Sequence, residues 1–349
     1  MQTASIGPTS RYYLNSRNPA RSRNIDHNQS KPTYCKMAFN RIAVYGHRGW
    51  ASSEIVKALA SSGATLRVLH RPGSDTSSLP TNVEVVEVDL ADQTSLVEKL
   101  KDIDVVICLV GHGGVLLQHH FVEAIPKTQV KLFVPSNLAA RYDEQGNTIP
   151  VNRQKSEVET AARQAGIPTT VILPGNFAEF ALNTSAMGVD SQNNRIQFVG
   201  DSATEPLNLC TRSYVAAGYA QIFASTPTSQ LQGRDIALCE LKPTGNEIAK
   251  ALARKFNAAP ITKTESKEHI VQALNEAIEN GNPFALALYC RKIWATGEKA
   301  RMMGEDFWDV EDYSKATLSG LIVEHSLESY RSMPEEVRAY FTDLFDQCE

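Results

Sequence analysis

Between residues 42 and 173, short apolar runs alternate with longer segments in which apolar residues recur every three or four positions. The short runs predict β-strands, and the longer periodic segments predict helices. The predicted strands are residues 42–45, 66–69, 83–88, 105–110, 130–134 and 169–173. The predicted helices of this part are residues 53–62, 115–125 and 153–165, with a further helix that Asp92 can cap.

This alternation predicts an α/β fold, a Rossmann-type doubly wound parallel sheet with helices on both faces. Right-handed crossovers would bring the carboxyl ends of the strands to one edge, where ligands bind. After Pro174 the pattern gives way to loops and longer helical stretches, such as residues 246–256 and 267–279. We therefore expect a Rossmann domain over residues 41–175 and a smaller C-terminal domain over residues 176–349. One strand of the latter, about residues 235–241, can return to the sheet.

The first forty residues lack apolar periodicity and are rich in Ser, Asn, Arg and Pro. This composition predicts a disordered basic arm over residues 1–40. The arm carries a net charge of +5, so the remaining residues carry −9 of the chain's net −4. A mitochondrial transit peptide and a start at Met37 are the alternatives for this segment. Otherwise we expect a cytoplasmic protein.

Composition narrows the possible partners. The acidic body lacks the broad basic surface that nucleic acid requires, and the longest apolar runs are far shorter than the ~20 residues of a membrane helix. The six cysteines show no metal-ligand spacing, and the adjacent His119 and His120 would diverge on a helix. We therefore expect no nucleic acid, no membrane and no metal, but a small-molecule ligand on a monomer or homodimer.

The turn between the first predicted strand and the first predicted helix is rich in glycine. It places Gly46, Gly49 and Ser52 at the three positions of a G-x-x-G-x-x-G pattern. Gly46 permits a tight turn and Gly49 a close approach of pyrophosphate, which the free N–H groups of the helix N-terminus would bind. The pattern predicts a dinucleotide site that includes Gly46, His47, Arg48, Gly49 and Trp50, with an ordinary glycine turn as the alternative.

The second predicted strand ends in His70 and Arg71, and Arg71 lies 22 positions after Gly49. An acidic residue at this point would bind the ribose 2′-hydroxyl of NAD, whereas an arginine pairs with the 2′-phosphate of NADP. The sequence therefore favours NADP, with a solvated surface arginine as the alternative.

Further candidates follow the third and fourth strands. Asp89 closes the third strand, where it is expected to face the adenine. Val110 and Gly111 follow the fourth strand, and the glycines there leave a floor poor in side chains for the nicotinamide half. His112 is a candidate substrate contact, although a backbone role in this loop is also open.

Several segments together resemble the isoflavone reductase-like and NmrA-like families of atypical short-chain dehydrogenases. They are residues 130–136 (VKLFVPS), Lys155, residues 166–170 (GIPTT), residues 173–178 (LPGNFA) and residues 246–249 (NEIA). The resemblance spans about residues 41–260, and the whole chain is similar to fungal members of the group.

The resemblance implies an NADPH-dependent reductase in which Lys155 lies at the nicotinamide and acts as the general acid/base. It also implies that the segments with Pro135 and Ser136 and with Gly175, Asn176 and Phe177 line the cofactor and substrate cleft. An NmrA-like regulator that binds NADP(H) without turnover is the alternative. This sequence departs from the family pattern at Asn137–Leu138, where an acid is usual, and at the bulky His47 and Arg48.

Lys155 lacks the tyrosine of the common Tyr-x-x-x-Lys pair, because Val151 stands four positions before it. Lys155 must then transfer the proton itself or through water, which is feasible if burial lowers its pKa. A solvated lysine on a charged helix is the alternative, and Tyr142 is a second candidate proton donor.

Aromatic and aliphatic residues suggest the substrate's character. We expect contacts from Phe177, Phe180 and residues 284–289 near Trp294. Such side chains favour a small apolar, aromatic or conjugated substrate, of the phenolic secondary-metabolite type.

Overall fold

The computed structural model describes residues 39–346. The strands of the central sheet are β1 (Arg41–Tyr45), β2 (Thr65–His70), β3 (Glu84–Glu87), β4 (Val105–Cys108) and β5 (Leu132–Val134). They lie in the order β3-β2-β1-β4-β5, and every pair is parallel. This order reverses direction between β1 and β4, the point at which doubly wound folds bind their ligands. The prediction of an α/β fold with a parallel central sheet is confirmed.

Later segments extend this sheet or form smaller ones. Their strands are β6 (Val171–Leu173), β7 (Asn176–Phe177), β8 (Val189–Asp190), β9 (Arg195–Val199), β10 (Leu209–Cys210), β11 (Asp235–Leu238), β12 (Ile261–Glu265) and β13 (Phe307–Trp308). A parallel bridge between Phe133 and Thr169 links β5 to the residues just before β6. β11 then pairs in parallel with β6, and β13 with β11. The segment around residues 235–241 therefore supplies a strand beside β6.

Helices cover the sheets. They are α1 (Trp50–Ser61), α2 (Gln93–Lys99), α3 (His119–Ala124), α4 (Glu144–Thr148), α5 (Pro150–Gln164), α6 (Ala178–Asn183), α7 (Arg212–Ala224), α8 (Gly245–Phe256), α9 (Lys267–Glu279), α10 (Ala285–Ala295), α11 (Glu298–Met302), α12 (Leu318–Ile322) and α13 (Glu335–Asp346). Short 3-10 turns occupy His112–Gln118, Ile125–Lys127 and Thr228–Gln230. Within residues 39–346, no helix combines the length and apolarity needed to cross a bilayer.

The alternation of side chains along β1 explains the two layers of helices. Ile42 and Val44 pack into a core with residues of α1 and α7, whereas Ala43 and Tyr45 pack into a second core with residues of α2, α3 and α5. All four side chains are buried. A strand that is apolar on both faces requires helices on both sides.

Three predicted helix starts differ from the observed ones by three residues each. α1 begins at Trp50 instead of residue 53, and α5 begins at Pro150 instead of residue 153. The predicted helix over residues 115–125 starts as a 3-10 turn at His112 and becomes α-helical only at His119. The first turn of a helix need not follow the apolar periodicity. α1 starts directly after its N-cap residue Gly49, and α5 starts at Pro150, whose fixed φ suits a first helical turn.

The predicted basic arm lies outside the described residues, except for its last two positions. There the prediction is wrong at Asn40, whose backbone N–H donates to Ala224 O at 2.7 Å. The Asn40 side chain also donates to the carbonyls of Phe223 and Thr226. Asn40 therefore belongs to the folded body, at the end of α7.

Candidate active site

The turn between β1 and α1 approaches the end of β4 very closely. Gly46 has a φ of +100°, and a Cβ on it would lie 2.6 Å from the carbonyl oxygen of Leu109. Any side chain at this position would therefore collide with backbone. Gly49 is the N-cap of α1 and provides no side-chain cap. Within residues 39–346, therefore, no N-cap side chain accepts from the first N–H groups of α1, as an anion site at a helix N-terminus requires.

This turn forms one wall of a cleft of about 410 Å³ at the carboxyl edge of the sheet. The predicted site residues that line the cleft are Gly46, His47, Arg48, Gly49, His70, Arg71, Val110, Gly111 and His112. Gly113 and Gly114, which belong to the glycine-rich floor expected after the fourth strand, line it as well. Ser74 and Leu117 also line it, and the sequence did not indicate either of them. Ser74 could have been found from the sequence, because it is a serine that follows closely after Arg71, the arginine predicted to bind the 2′-phosphate.

The cleft carries two exposed arginines. Arg48 and Arg71 both line it, and within residues 39–346 neither has a carboxylate within the 4.0 Å of an ion pair. His47 has a different role, because it is 5% exposed and its Nε2 lies 3.1 Å from the carbonyl oxygen of Asp75. This contact joins the glycine turn to the loop that follows β2. The free guanidinium groups suit a phosphate better than a neutral ligand.

Other predicted cofactor contacts lie away from the cleft walls. Asp89 is exposed and accepts a hydrogen bond from the backbone of Ala91, so it stabilises its own turn. Ser136 is buried, and its hydroxyl donates to Val110 O at 2.9 Å. Ser136 thus supports the floor of the cleft from below, and Pro135 beside it is buried as well.

Lys155 of α5 lies in a small polar network. Its Nζ donates to the carbonyl oxygen of Asn137 at 2.8 Å and lies 3.5 Å from the hydroxyl oxygen of Tyr142. The Tyr142 hydroxyl in turn donates to Oδ1 of Asn137 at 3.2 Å. Asn137, which replaces the usual acid of the family, therefore orients both Lys155 and Tyr142.

Burial changes the acidity of this network. Desolvation lowers the pKa of Lys155 to about 8, although the negative charge of Glu159 opposes the shift. Desolvation likewise raises the pKa of Tyr142, so its hydroxyl keeps its proton. Loss of hydration and the positive charges of Lys155 and Arg331 lower the pKa of His112. The solvated-lysine alternative is therefore disfavoured, and the charges of Lys155 and His112 interact across the site.

An aromatic cluster lies at the other side of the glycine turn. Trp50 contacts the ring of Phe177 with centroids 5.2 Å apart and the ring of Tyr330 at 4.9 Å. Phe180 packs on Tyr330 at 5.4 Å. All four side chains are half-buried. Trp50 thus contacts this cluster instead of the walls of the cleft, and Tyr330 is a member that the sequence pattern did not indicate.

The segment after β6 is held tightly. A Cβ on Gly175, whose φ is +74°, would lie 2.5 Å from Nδ2 of Asn208. The buried Asn176 accepts a hydrogen bond at Oδ1 from Nζ of Lys299 at 3.1 Å. Lys299 comes from α11, more than a hundred residues away, so local sequence could not predict this contact.

The expected substrate contacts around residues 284–289 are mostly wrong. Tyr289 and Trp294 are each 1% exposed and belong to the hydrophobic core. Their polar atoms are used internally, because Tyr289 donates to Asp143 and Trp294 donates to Glu205 O. Phe284 stacks on Tyr340 of α13. An apolar stretch near an aromatic residue is typical of core as well as of pocket, and here it is core.

Comparisons with known proteins bear on the family and the fold of this chain. The bifunctional pinoresinol-lariciresinol reductase of Linum album is 32% identical over 162 residues, which are 41% of this chain and 50% of that protein. This chain thus spans about half the length of the curated relatives it matches.

Solved structures share the fold over a longer range. An isoflavone reductase structure has a TM-score of 0.70 at 20% identity and covers 82% of this chain and 100% of its own. The leucoanthocyanidin reductase–NADPH complex of Vitis vinifera has a TM-score of 0.62 at 17% identity, with 88% of this chain and 100% of that chain covered. At these identities the likeness concerns the fold.

The resemblance inferred from the sequence is confirmed by these relatives and by a family model. The model of the NmrA-like family matches residues 39–293, which include the glycine turn, Lys155 and the segment after β6. With well over half of its length matched, the chain belongs to the NmrA-like family.

Proposed function

We propose that this protein is an NADPH-dependent reductase of small apolar, aromatic or conjugated molecules. The observation that carries the proposal is the setting of Lys155, a half-buried amine whose Nζ donates to Asn137 O at 2.8 Å and lies 3.5 Å from the Tyr142 hydroxyl oxygen. Burial in this setting lowers its pKa to about 8. A regulator that only binds the cofactor has no need of a proton donor with a pKa so close to neutrality.

The cleft suits a phosphorylated dinucleotide. Gly46 and Gly49 allow close approach to backbone, and the uncapped N-terminus of α1 offers N–H donors and the positive end of the helix dipole. Arg71 lines the cleft and would pair with the 2′-phosphate, and Arg48 adds a second positive charge. NADPH, when bound, supplies the hydride.

Lys155 would supply the proton that balances this hydride. An ammonium group has three N–H donors, and Asn137 O and the Tyr142 oxygen lie within reach of two of them. The third can donate to the substrate. Hydride adds to the electrophilic carbon, the π bond or benzylic C–O bond breaks, and the Lys155 proton goes to the atom that receives the electron pair. Tyr142 donates its only proton to Asn137, so it acts as a positioning residue.

The substrate class rests on the aromatic cluster. Trp50, Phe177, Phe180 and Tyr330 are half-buried beside the glycine turn, and aromatic side chains favour flat apolar ligands. His112, with its lowered pKa, would contact the substrate near Lys155 in the neutral form. The names of relatives, which are reductases of pinoresinol and of phenylcoumaran benzylic ethers, support the same class.

The test is a screen of NADPH oxidation by the purified full chain against conjugated phenolics, quinones and benzylic ethers. We expect substrate-dependent oxidation with at least one of them and formation of the reduced product. If the protein binds NADPH but reduces none of them, the regulator alternative is favoured and the reductase proposal fails.

A further inference from the structure

The C-terminal part of the chain contributes one ring to the aromatic cluster beside the glycine turn. Tyr330 lies in the strap (residues 323–334), which joins α12 to α13 without a helix or strand of its own. The family model matches the chain only as far as residue 293, so the strap lies outside the matched part. Tyr330 is therefore a feature of this chain's site that the family match does not cover.

The ring of Tyr330 fills the space between two helices. Its centroid lies 4.9 Å from the ring of Trp50 on α1 and 5.4 Å from the ring of Phe180 on α6. Aromatic rings at such distances are in direct contact. A ligand ring that packed between Trp50 and Phe180 would need this same space, so it cannot enter while Tyr330 is there.

The side chain of Tyr330 holds the middle of the strap. Within residues 39–346, the backbone of residues 329–333 forms no hydrogen bond with other backbone. Tyr330 is half-buried, whereas the side chains next to it in the chain are exposed. Its ring partners Trp50 and Phe180 lie on helices instead. A substitution at Tyr330 therefore changes the space in the cluster without breaking a helix or a strand.

The opposite wall of this space is fixed. The guanidinium of Arg212 on α7 lies 5.2 Å from the ring centroid of Trp50. Arg212 also donates to Oγ of Ser53 at 2.9 Å and lies 3.4 Å from a carboxylate oxygen of Glu54. These contacts hold the first turn of α1 against α7. Tyr330 thus decides how much of the space beside Trp50 is open.

The strap also passes close to the reaction site. Arg331, next to Tyr330, lies near enough to His112 for its positive charge to contribute to the lowered pKa of that imidazole, and His112 lines the cleft. On the other side, Trp50 contacts Phe177 of the segment after β6 at 5.2 Å. The space that Tyr330 fills therefore lies beside the proposed substrate site.

We propose that Tyr330 is a specificity-determining residue, which limits the substrate to a single aryl ring on the conjugated system that is reduced. This proposal rests on the substrate site of the reductase proposed above. The one aryl ring packs against Phe177, and the ring of Tyr330 occupies the place that a second aryl ring would take between Trp50 and Phe180.

The test compares two ketones that differ in one group. Benzylideneacetone and chalcone share the same phenyl-substituted enone, but chalcone carries a phenyl group where benzylideneacetone carries a methyl group. Calorimetric titration of the full chain saturated with NADP⁺ gives both dissociation constants without turnover. We expect the wild type to bind benzylideneacetone at least about tenfold more tightly than chalcone, because the place of the second ring is occupied.

Removal of the ring should abolish or reverse this preference. In Tyr330→Ala, the second ring of chalcone can enter the vacated space, so chalcone affinity should rise at least about tenfold from the burial of a phenyl group. The affinity for benzylideneacetone should change little. Tyr330→Phe keeps the ring, and it should keep the wild-type preference.

Tyr313→Ala is a matched control. Tyr313 is also a half-buried tyrosine of an irregular C-terminal segment, and its ring contacts Tyr214 at 5.2 Å instead of the cluster. Loss of this ring should leave the preference between the two ketones unchanged. Should Tyr330→Ala fail to fold, Tyr330→Leu keeps a smaller apolar side chain and should shift the preference in the same direction.

A purely structural role of Tyr330 would weaken the binding of both ketones alike. Such equal weakening in Tyr330→Ala, or an unchanged preference, would overturn the proposal. Wild-type binding of chalcone as tight as that of benzylideneacetone would also overturn it, as would the absence of binding of both ketones to Tyr330→Ala. The screen for NADPH oxidation measures turnover and the calorimetry measures selectivity, so either proposal can fail alone.

Discussion

At the scale of single residues, the hydrogen-bond partners of Lys155 explain a departure from the family pattern. The sequence pointed to Lys155 because this residue matches the lysine of the related reductases. It pointed to Asn137 only as the residue that replaces the usual acid of the family. In the structure, Asn137 uses its carbonyl oxygen for Lys155, its Oδ1 for Tyr142 and its Nδ2 for Glu159. Lys155 and Glu159 lie on α5, 18 and 22 positions after Asn137, so these two contacts depend on how α5 packs against the loop after β5, and no local pattern contains them.

Replacing Lys155 by methionine tests its role directly. The Lys155→Met variant keeps an apolar side chain of similar length but removes the proton donor, so turnover should fall about 10²- to 10⁴-fold. NADPH affinity should change much less, because the proposed phosphate contacts lie at Arg71 and the glycine turn. Steady-state kinetics with any substrate found in the screen measure the turnover, and a binding titration measures the NADPH affinity.

The pH profile separates proton donation from a structural role of Lys155. The amine is mostly charged below its pKa of about 8 and loses its proton above it. Wild-type turnover should therefore decrease as the pH rises through about 8, whereas Lys155→Met should lack this decrease. Lys127→Met, an exposed lysine paired with Glu123, should keep the wild-type rate and profile. A wild-type rate in Lys155→Met would refute the mechanism.

At the scale of elements, the sequence predicted those helices and strands whose positions follow from apolar periodicity or from a capping residue. Asp92 caps α2 as expected, since its side chain accepts from the backbone N–H of Ser95. The carboxyl end of β2 and the turn after β1 also lie where expected, because each follows directly from an apolar run. The 3-10 turn at His112 was not predicted, because it begins in a glycine-rich segment without apolar period.

The glycine turn provides a prediction at this scale. In Gly46→Ala, the new Cβ would lie 2.6 Å from Leu109 O in a backbone conformation with φ +100°. The unfolding free energy should fall by about 2–4 kcal/mol, from the strained φ and the overlap with backbone together. NADPH affinity should fall as well, because the turn must move.

Gly166→Ala is a matched control for this prediction. Gly166 has a φ of +70° but nothing within 4 Å of its would-be Cβ. The unfolding free energy of the Gly166→Ala variant should fall by only about 1–2 kcal/mol, from the backbone strain, and its NADPH affinity should not change. Denaturant unfolding of both variants measures the difference, and equal losses would show that close approach at Gly46 is unimportant.

At the scale of the whole molecule, the sequence predicted the parallel sheet but not how the later segments return to it. The pairing of β13 with β11 and the contact of Tyr330 with Trp50 bring together residues separated by tens to hundreds of positions. The local sequence did not indicate either contact. β13 has only two residues, which is too short for a strand pattern, and Tyr330 lies in a segment without one. The Lys299–Asn176 contact is of the same kind.

The basic arm provides a prediction for the whole chain. Removal of residues 1–36 should leave the melting temperature and NADPH affinity unchanged, because a segment without apolar period buries little surface. Thermal unfolding of the full and shortened chains measures this. A decrease of several degrees on removal would mean that the arm packs against the folded body.

The preference between the two nicotinamide cofactors tests the central claim most directly, because it requires no known substrate. Titrations of the wild type, Arg71→Ala and the control Arg153→Ala with NADPH and with NADH measure it. We expect the wild type and the control to bind NADPH at least about tenfold more tightly than NADH, since a phosphate contact of this kind contributes about 1.5–3 kcal/mol. The Arg71→Ala variant should lose that preference, because its affinity for NADPH should fall while its affinity for NADH stays the same. Equal wild-type affinity for the two cofactors, or binding of neither, would contradict the account.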